Sequence, residues 1–572
     1  MNLPGAHRTL PRAARAKKAT QLSARVSSHL VAEAPFLVIG VVQSLGGWRA
    51  SQDDAVIAIR SWGVFTARPP LLGQFTQATG CAGQTAHAPG PLLYWMLALP
   101  VRVDPIHGIV WGAAIWAAIA MVLCVESAWA VRGTTGALAV GVFAVVLVST
   151  QRAAVVNVEW NPYFAMLWFA ASCMIAWRVG RGGLRWWPVL VVSASVAAQS
   201  HLEFTLPSLV LVVVAPALGI ASRRLRRDSG TRGIRWPVWS VTGVGLGAAL
   251  WAAPLWQEAS GHPGNMSLLL HCVSGRHVIG SRFAFHLLAW AVVPPPLWFH
   301  TSETVASQLF RDRGSPPAGA GVAVLVVLAA VALVSWRAHR GDLAVLSTLG
   351  LLVGGAVVWD LSRQPLSGVL ELVYLDSVFW PIGMLVWGVA ALGVREVVAY
   401  ALAEVALRRA RGVPPENDAA APTRAARTYR LWGERCRRRA GTHSWTWAAA
   451  VCVAVSGLIT TIALGRGTMS SANRAAVGSS TYSAVVIGAR VAEHLVPHGP
   501  LKIWVSAPSG DEAYSLLFGT IWVLVSEGRQ ASTPGPFERL IDPPAHAVKG
   551  EPQVDITVGP SGKVVGARLA KG

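Results

Sequence analysis

The stretch Ser51-Gln52-Asp53-Asp54 opens a polar segment, residues 50–105, directly after the first apolar run of the chain. A charge at the edge of a bilayer is costly and tends to be kept for a function. A partly buried carboxylate can take a proton from a hydroxyl near neutral pH, so Asp53 and Asp54 are candidate catalytic groups. Neighbours on a helix do not face each other, so the two are not an acid pair sharing one site. One is expected to point into a cavity and the other to cap or orient it, with Asp53 taken as the inward one. Further polar groups recur between later apolar runs. They are Asn157, Glu159 and Asn161 around Trp160; Gln199, His201 and Glu203; Glu258, His262 and Asn265; and Asp360, Arg363 and Asp376. Each alone has a local explanation. Trp160-Asn161-Pro162 suits an interfacial tryptophan ahead of a helix start, and Asp53 and Asp54 could simply solvate a helix end.

The elements that must position these groups are apolar helices. The chain has 572 residues, 53% hydrophobic and only 13% charged, against about 25% charged in a soluble domain. Its net charge of +21 comes with no basic, aromatic-interleaved module, so no nucleic-acid partner is expected. The Lys and Arg residues instead cluster between apolar runs, where they set topology. Spans are expected near 32–49, 106–130, 135–150, 162–178, 186–201, 204–221, 236–256, 318–336, 343–359, 377–400 and 445–465. Two shorter, proline-marked pieces, 89–102 and 284–299, are assigned to the interface. If either crossed, basic loops such as RVGRGGLRWW or WRAHRGD would fall on the outer side. The fold class is therefore mainly α, a polytopic membrane protein with about eleven transmembrane helices and interfacial helices. The expected topology puts the N-terminus in the cytoplasm and every polar cluster on the outer face.

Residues 1–31 read as a basic cytoplasmic tail, and 32–401 as the transmembrane domain with its long outer loop 50–105. Residues 402–444, rich in Ala, Arg and Pro, read as a cytoplasmic linker, and 445–465 as the last span. In 466–572 the pattern changes: LKIWVSA and VDITVG suit strands, DEAYSLLFGTIWVLVSEG and TYSAVVIGARVAEHL suit helices. A small extracytoplasmic α/β domain is expected there. The six cysteines contain no Cys-x-x-Cys pair, which argues against zinc. On this topology Cys81 and Cys272 are the pair placed to form a disulfide.

The order DDAVIAIRSW, RPPLLGQFTQATG, HAPGPLLYWMLALP, WNPYF, QSHLEFTLP and a Glu258-to-Asn265 loop resembles the actinobacterial branch of the GT-C glycosyltransferases, polytopic enzymes that use polyprenyl-phosphate sugars. The resemblance covers roughly the first 270 residues. It implies an arabinofuranosyl- or mannosyltransferase-like enzyme whose first outer loop begins with an essential acid, here Asp53 or Asp54. That loop ends in a turn, here His87-Ala88-Pro89-Gly90-Pro91, where relatives have His-Pro; a second cluster is carried by Asn157, Glu159, Trp160 and Asn161, where relatives have a plain aspartate. On this reading His87, Asn157, Glu159, Trp160, Asn161, His201, Glu203, Glu258 and Asn265 line the substrate. The lipid phosphate falls to Arg152, Arg276, His277, Arg282 and Arg363, with His201 beside them. No cofactor or metal is required by the spacing. The partners implied are a polyprenyl-phosphate sugar, with arabinose and mannose the first donors to try, and an envelope glycan or lipid acceptor at the plasma membrane.

Two other classes stay open on the residues alone. A transporter or lipid flippase would also be polytopic, but would show repeats or helices broken at mid-membrane; no repeat is evident and the charges sit at span ends. A non-catalytic envelope scaffold would use the C-terminal domain to bind a partner and would tolerate loss of Asp53, Glu159 or His201.

Overall fold

The structure is a computed structural model, and it describes residues 12–76, 86–225, 236–272, 278–293, 318–364, 377–390, 392–393, 455–459, 461–462, 479–534, 551–559 and 563–570. It is mostly helical. Among the described residues, seven helices are long and apolar enough to cross a membrane: Ala19–Leu45, Gly108–Arg132, Asn161–Gly180, Leu202–Arg224, Pro237–Ser260, Ala318–Arg337 and Gly341–Leu361. Each lies on a span expected from the sequence. The segment expected at 186–201 is a helix of only 14 residues, Trp187–Ser200, short of the roughly 20 that a bilayer requires. Residues 402–444 lie outside the described residues, as does most of 445–465.

Helix α1 runs Arg12–Leu45, so the described part of the basic tail is continuous with the first span. Its register is set from a distance. Arg25 forks onto both oxygens of Glu126, and His29 bridges Glu33 and Glu126. Glu126 lies on α4 (Gly108–Arg132), against which α1 packs. A bidentate guanidinium–carboxylate pair fixes both position and angle.

The first loop folds back on the bundle in two steps. Helix α2 (Gln52–Gly63) buries Ala55, Val56, Ile57, Ala58 and Ser61 and carries Asp53 and Asp54 in its first turn, where the partial positive end of a helix favours anions. A short antiparallel pair, β1 (Phe75–Thr76) with β2 (Ala86–His87), then leads into α3 (Leu92–Val103). At 12 residues α3 is too short to span, as expected for the piece 89–102. The second such piece is α12 (Gly280–Val292), with 13 residues. The turn before α3 depends on glycine: a Cβ on Gly90 would lie 2.1 Å from Oε1 of Gln199, at the end of α8 (Trp187–Ser200). Gln199 is fully buried and its Nε2 donates to the Leu250 carbonyl, so it has no room to yield. Gly90→Ala is expected to cost about 1–3 kcal/mol of overpacking, read as a lower melting temperature in detergent.

Helix α7 (Asn161–Gly180) is the central post, with nearly every side chain buried. Pro162 sits in its first turn, where a missing N–H leaves no bond unmade. Beyond the membrane helices lies the expected α/β unit. Its sheet has the order β4-β3-β5-β6, with β3 (Leu501–Ser506) parallel to β4 (Ala531–Ser532) and to β5 (Gln553–Val558), and β6 (Val564–Leu569) antiparallel to β5. Two helices, α16 (Ser479–Leu495) and α17 (Gly510–Ser526), pack together on it. Ser509 caps α17, its hydroxyl accepting from the Glu512 amide at 3.2 Å.

Candidate active site

The site forms where α2, the turn before α7, α3 and α17 meet. Asp53 and Asp54 diverge, as adjacent helical residues must. Asp53 is held on both oxygens: Trp160 Nε1 donates to Oδ2 at 2.9 Å and the Tyr514 hydroxyl donates to Oδ1 at 2.9 Å. Trp160 is itself steadied edge-on by Tyr163, their ring centroids 5.4 Å apart. The Asp54 carboxyl accepts no hydrogen bond among the described residues. It is partly buried, as Asp53 is. Burial, and secondarily the charge of Asp53, push its pKa up to about 8. Of the two acids, Asp53 is the one held by donors.

Glu159 is a neighbour of Asp54. It is 0% exposed, and neither carboxyl oxygen has a hydrogen-bond partner among the described residues. Burial first, and the neighbouring Asp54 second, hold its pKa well above the usual carboxylate value. The three acids therefore differ by surroundings: Asp53 is fixed by two donors, Asp54 is pushed up to about 8, and Glu159 is held well above the usual carboxylate value. A group whose folded pKa is raised binds its proton more tightly folded than unfolded. The associated stability is full below the unfolded carboxylate pKa and is lost as pH climbs through the folded pKa. Glu159→Gln removes this loss. We expect wild-type melting temperature in detergent to fall more steeply with rising pH above the ordinary carboxylate range than that of Glu159→Gln, with the two closest at the acid end.

The other expected residues are brought to the same end of the bundle in differing degrees. Asn161 Nδ2 donates to the Ser200 carbonyl at 3.2 Å, tying the start of α7 to the end of α8. Asn265, 2% exposed, pairs with the backbone of His87 on both sides, Oδ1 accepting from its N–H at 2.9 Å and Nδ2 donating to its carbonyl at 3.0 Å. It therefore splints the first loop to the 257–265 loop. His201 lies just past α8, Nδ1 3.9 Å from the carboxyl of buried Glu203, and burial lowers its pKa to about 4. It is a neutral imidazole at pH 7 and supplies no charge to a phosphate. Glu258 is taken up structurally: it accepts from the Met266 amide at 2.7 Å and from the Ser267 amide and hydroxyl, closing the start of α11 (Asn265–Cys272). Asn157, Arg152 and Arg282 are exposed. Arg363 is exposed too and stacks on Trp359 at 4.3 Å. Arg276 and His277, Asp376 and Cys81 of the expected disulfide lie outside the described residues.

Three participants were missed by sequence reasoning. Arg60 is seven residues beyond Asp53 on α2, close to two helical turns, and so lies on the same face. Its guanidinium lies 5.6 Å from the ring centroid of Tyr94 and bonds the Tyr94 hydroxyl, which in turn donates to Gln74 Oε1 at 2.9 Å. The i, i+7 spacing of Asp53 and Arg60 was a readable signal. Tyr94 sat inside an apolar piece read only as a docking helix. Tyr514 comes from 461 residues away and carried no local signal. Among the described residues no group of three or more His, Cys, Asp or Glu could hold a metal ion.

Fold and site define a polytopic helical membrane protein with a cluster of three acids against which a C-terminal α/β unit packs. No family model matches the chain. A lipoprotein signal peptidase of Methylobacterium sp. (strain 4-46) is 38% identical over 88 residues, 15% of this chain and 52% of that protein, so the chain spans about half the length of the curated relative it matches. Among solved structures, ArnT from Cupriavidus metallidurans in the apo state aligns over 96% of this chain and 93% of its own, at 14% identity and a TM-score of 0.42. The apo oligosaccharyltransferase of Archaeoglobus fulgidus aligns over 91% of this chain and 65% of its own, at 13% identity and a TM-score of 0.40. The same organism's AglB, in complex with an inhibitory peptide and a dolichol-phosphate, aligns over the same shares at 11% identity and a TM-score of 0.38.

Proposed function

We propose that this chain is a membrane glycosyltransferase. It moves a sugar from a polyprenyl-phosphate donor to an envelope glycan or lipid acceptor at the outer face of the plasma membrane. Asp54 serves as the general base. The observation that carries the reading is the pair of neighbouring acids: Asp53 fixed by two donors, and beside it Asp54, which accepts no hydrogen bond among the described residues and is pushed up to about 8. A base works best with a pKa close to the working pH, because it is then both often ionised and strong enough to pull a proton.

In the proposed step the acceptor hydroxyl gives its proton to Asp54 as its oxygen bonds the anomeric carbon. The bond from that carbon to the phosphate oxygen breaks, and its electron pair leaves with the prenyl phosphate. Arg60 is the cation on α2 best placed to meet that charge, since Tyr94 holds the guanidinium on the site side of the helix. Trp160, partly exposed, offers a ring face to the sugar. The GT-C resemblance and the long first loop agree with this reading. A non-catalytic scaffold has no use for a carboxyl held at the edge of ionisation; a proton-coupled transporter does, and the transfer assay separates that reading.

The test is sugar transfer by the purified full chain in nanodiscs, offered a panel of polyprenyl-phosphate sugars and short envelope glycans, with products read by mass spectrometry. Transfer by wild type that is lost in Asp54→Asn supports the reading. Absence of transfer with every donor, or transfer untouched by both Asp53→Asn and Asp54→Asn, removes it and brings the transporter and scaffold forward.

A further inference from the structure

Nothing in the proposed chemistry requires the C-terminal α/β unit, yet the unit reaches Asp53. Helix α17 lies along α2, with Trp522 edge-on to Trp62, their ring centroids 6.0 Å apart and planes at 76°. From that seat the Tyr514 hydroxyl reaches Asp53 at 2.9 Å, its ring braced edge-on by Phe518 at 4.7 Å. The two donors to Asp53 therefore come from separate parts of the chain, Trp160 from the membrane domain and Tyr514 from beyond the last span.

We propose that the C-terminal unit is a working wall of the site, and that Tyr514 is a positioning residue that acts on the reaction through Asp53. This rests on the glycosyltransferase reading for its kinetic form, but the contact itself does not. A hydroxyl donating to a carboxylate stabilises the ionised form. Tyr514 stays protonated to do so, because burial and then the charge of Asp53 push its own pKa up. Asp53, fixed in direction by its two donors, is the neighbouring acid that biases Asp54. The groups facing this pair are Arg60 from α2, Tyr94 from α3, Glu159 and Trp160 from the turn before α7, and Tyr514 from α17. Only Tyr514 depends on the C-terminal unit being docked. The unit can thus couple its seating on the membrane domain to the protonation of Asp54.

Tyr514→Phe deletes the hydroxyl and keeps the ring stack, so the unit stays in place. We expect kcat to fall about tenfold with KM within about twofold of wild type, since the lost group touches Asp53 and not the substrate. We also expect the acidic limb of the pH–rate profile to move up, because the Asp53 charge loses the hydroxyl dipole that partly offsets it and so burdens Asp54 more. Trp522→Ala, which loosens the seat of α17 on Trp62, should give the same upward shift with an additional loss of kcat. The second readout does not need turnover. The C=O band of the protonated Asp54 carboxyl, identified by its loss in Asp54→Asn, is titrated by infrared difference spectroscopy in wild type and Tyr514→Phe. An upward-shifted titration in a protein that transfers no sugar keeps the coupling and discards the glycosyltransferase reading. An unshifted titration, or wild-type kcat and pH profile in an active Tyr514→Phe protein, overturns the proposal and leaves Tyr514 as packing.

Discussion

Asp54→Asn should lower transfer by about 10²- to 10⁴-fold, the range that a positioned general base contributes. The loss should fall on kcat, because an amide of the same shape can still occupy the same place but cannot accept the hydroxyl proton. In wild type the rate should rise with pH through about 8, where the Asp54 carboxyl ionises. The limb belongs to the coupled set of Asp53, Asp54 and Glu159, since the three interact. Stability should move the opposite way. The proton that Asp54 holds more tightly folded than unfolded makes wild type lose stability as pH climbs toward 8, and Asp54→Asn should be free of that part of the loss. A variant that is inactive and at least as stable as wild type at pH 8 separates catalysis from folding. A pH–rate profile that is flat between pH 6 and 9 would remove Asp54 as the base.

The sequence announced Asp53 and Asp54 because carboxylates beside an apolar run are expensive, and that cost is local. The pairing of Trp160 with them was half legible: the polar cluster around it was visible, its indole as the donor to Asp53 was not. Which of the two acids is held by donors was settled by side chains that neither acid adjoins in sequence. The same distinction runs through the fold. Spans such as Gly108–Arg132 and Gly341–Leu361 were legible because twenty apolar residues have few other uses. The start of α1 was not, because the Arg25 and His29 partner is Glu126, about a hundred residues on. Glu258 read as a substrate contact because its helix-closing bonds to Met266 and Ser267 form only once the loop between them has turned. The C-terminal strands and helices were legible from their period. Their docking on α2 was not, because Trp522 and Tyr514 look like ordinary members of an apolar helix face.

Asp53→Asn should behave differently from Asp54→Asn, and the difference tests the roles assigned to the two. Asparagine keeps the shape of Asp53 and removes its charge. The Asp54 proton is then held by burial alone, so the acidic limb of the pH–rate profile should move down by about one unit. Below the old limb a larger fraction of Asp54 is ionised, which favours turnover. Above it the base is weaker, and Trp160 and Tyr514 have lost a charged partner, so the plateau should fall by about 10- to 100-fold. Relative activity at pH 6 against pH 8 should therefore rise even as absolute activity drops. If Tyr514 acts only through Asp53, the double variant Asp53→Asn/Tyr514→Phe should be no worse than Asp53→Asn alone, since the second change removes a donor whose anion is already gone. Losses that multiply instead would give Tyr514 a direct contact with the substrate. A limb that stays put or moves up in Asp53→Asn would mean that Asp53 and not Asp54 carries the titration seen in the rate, and the two assignments would exchange.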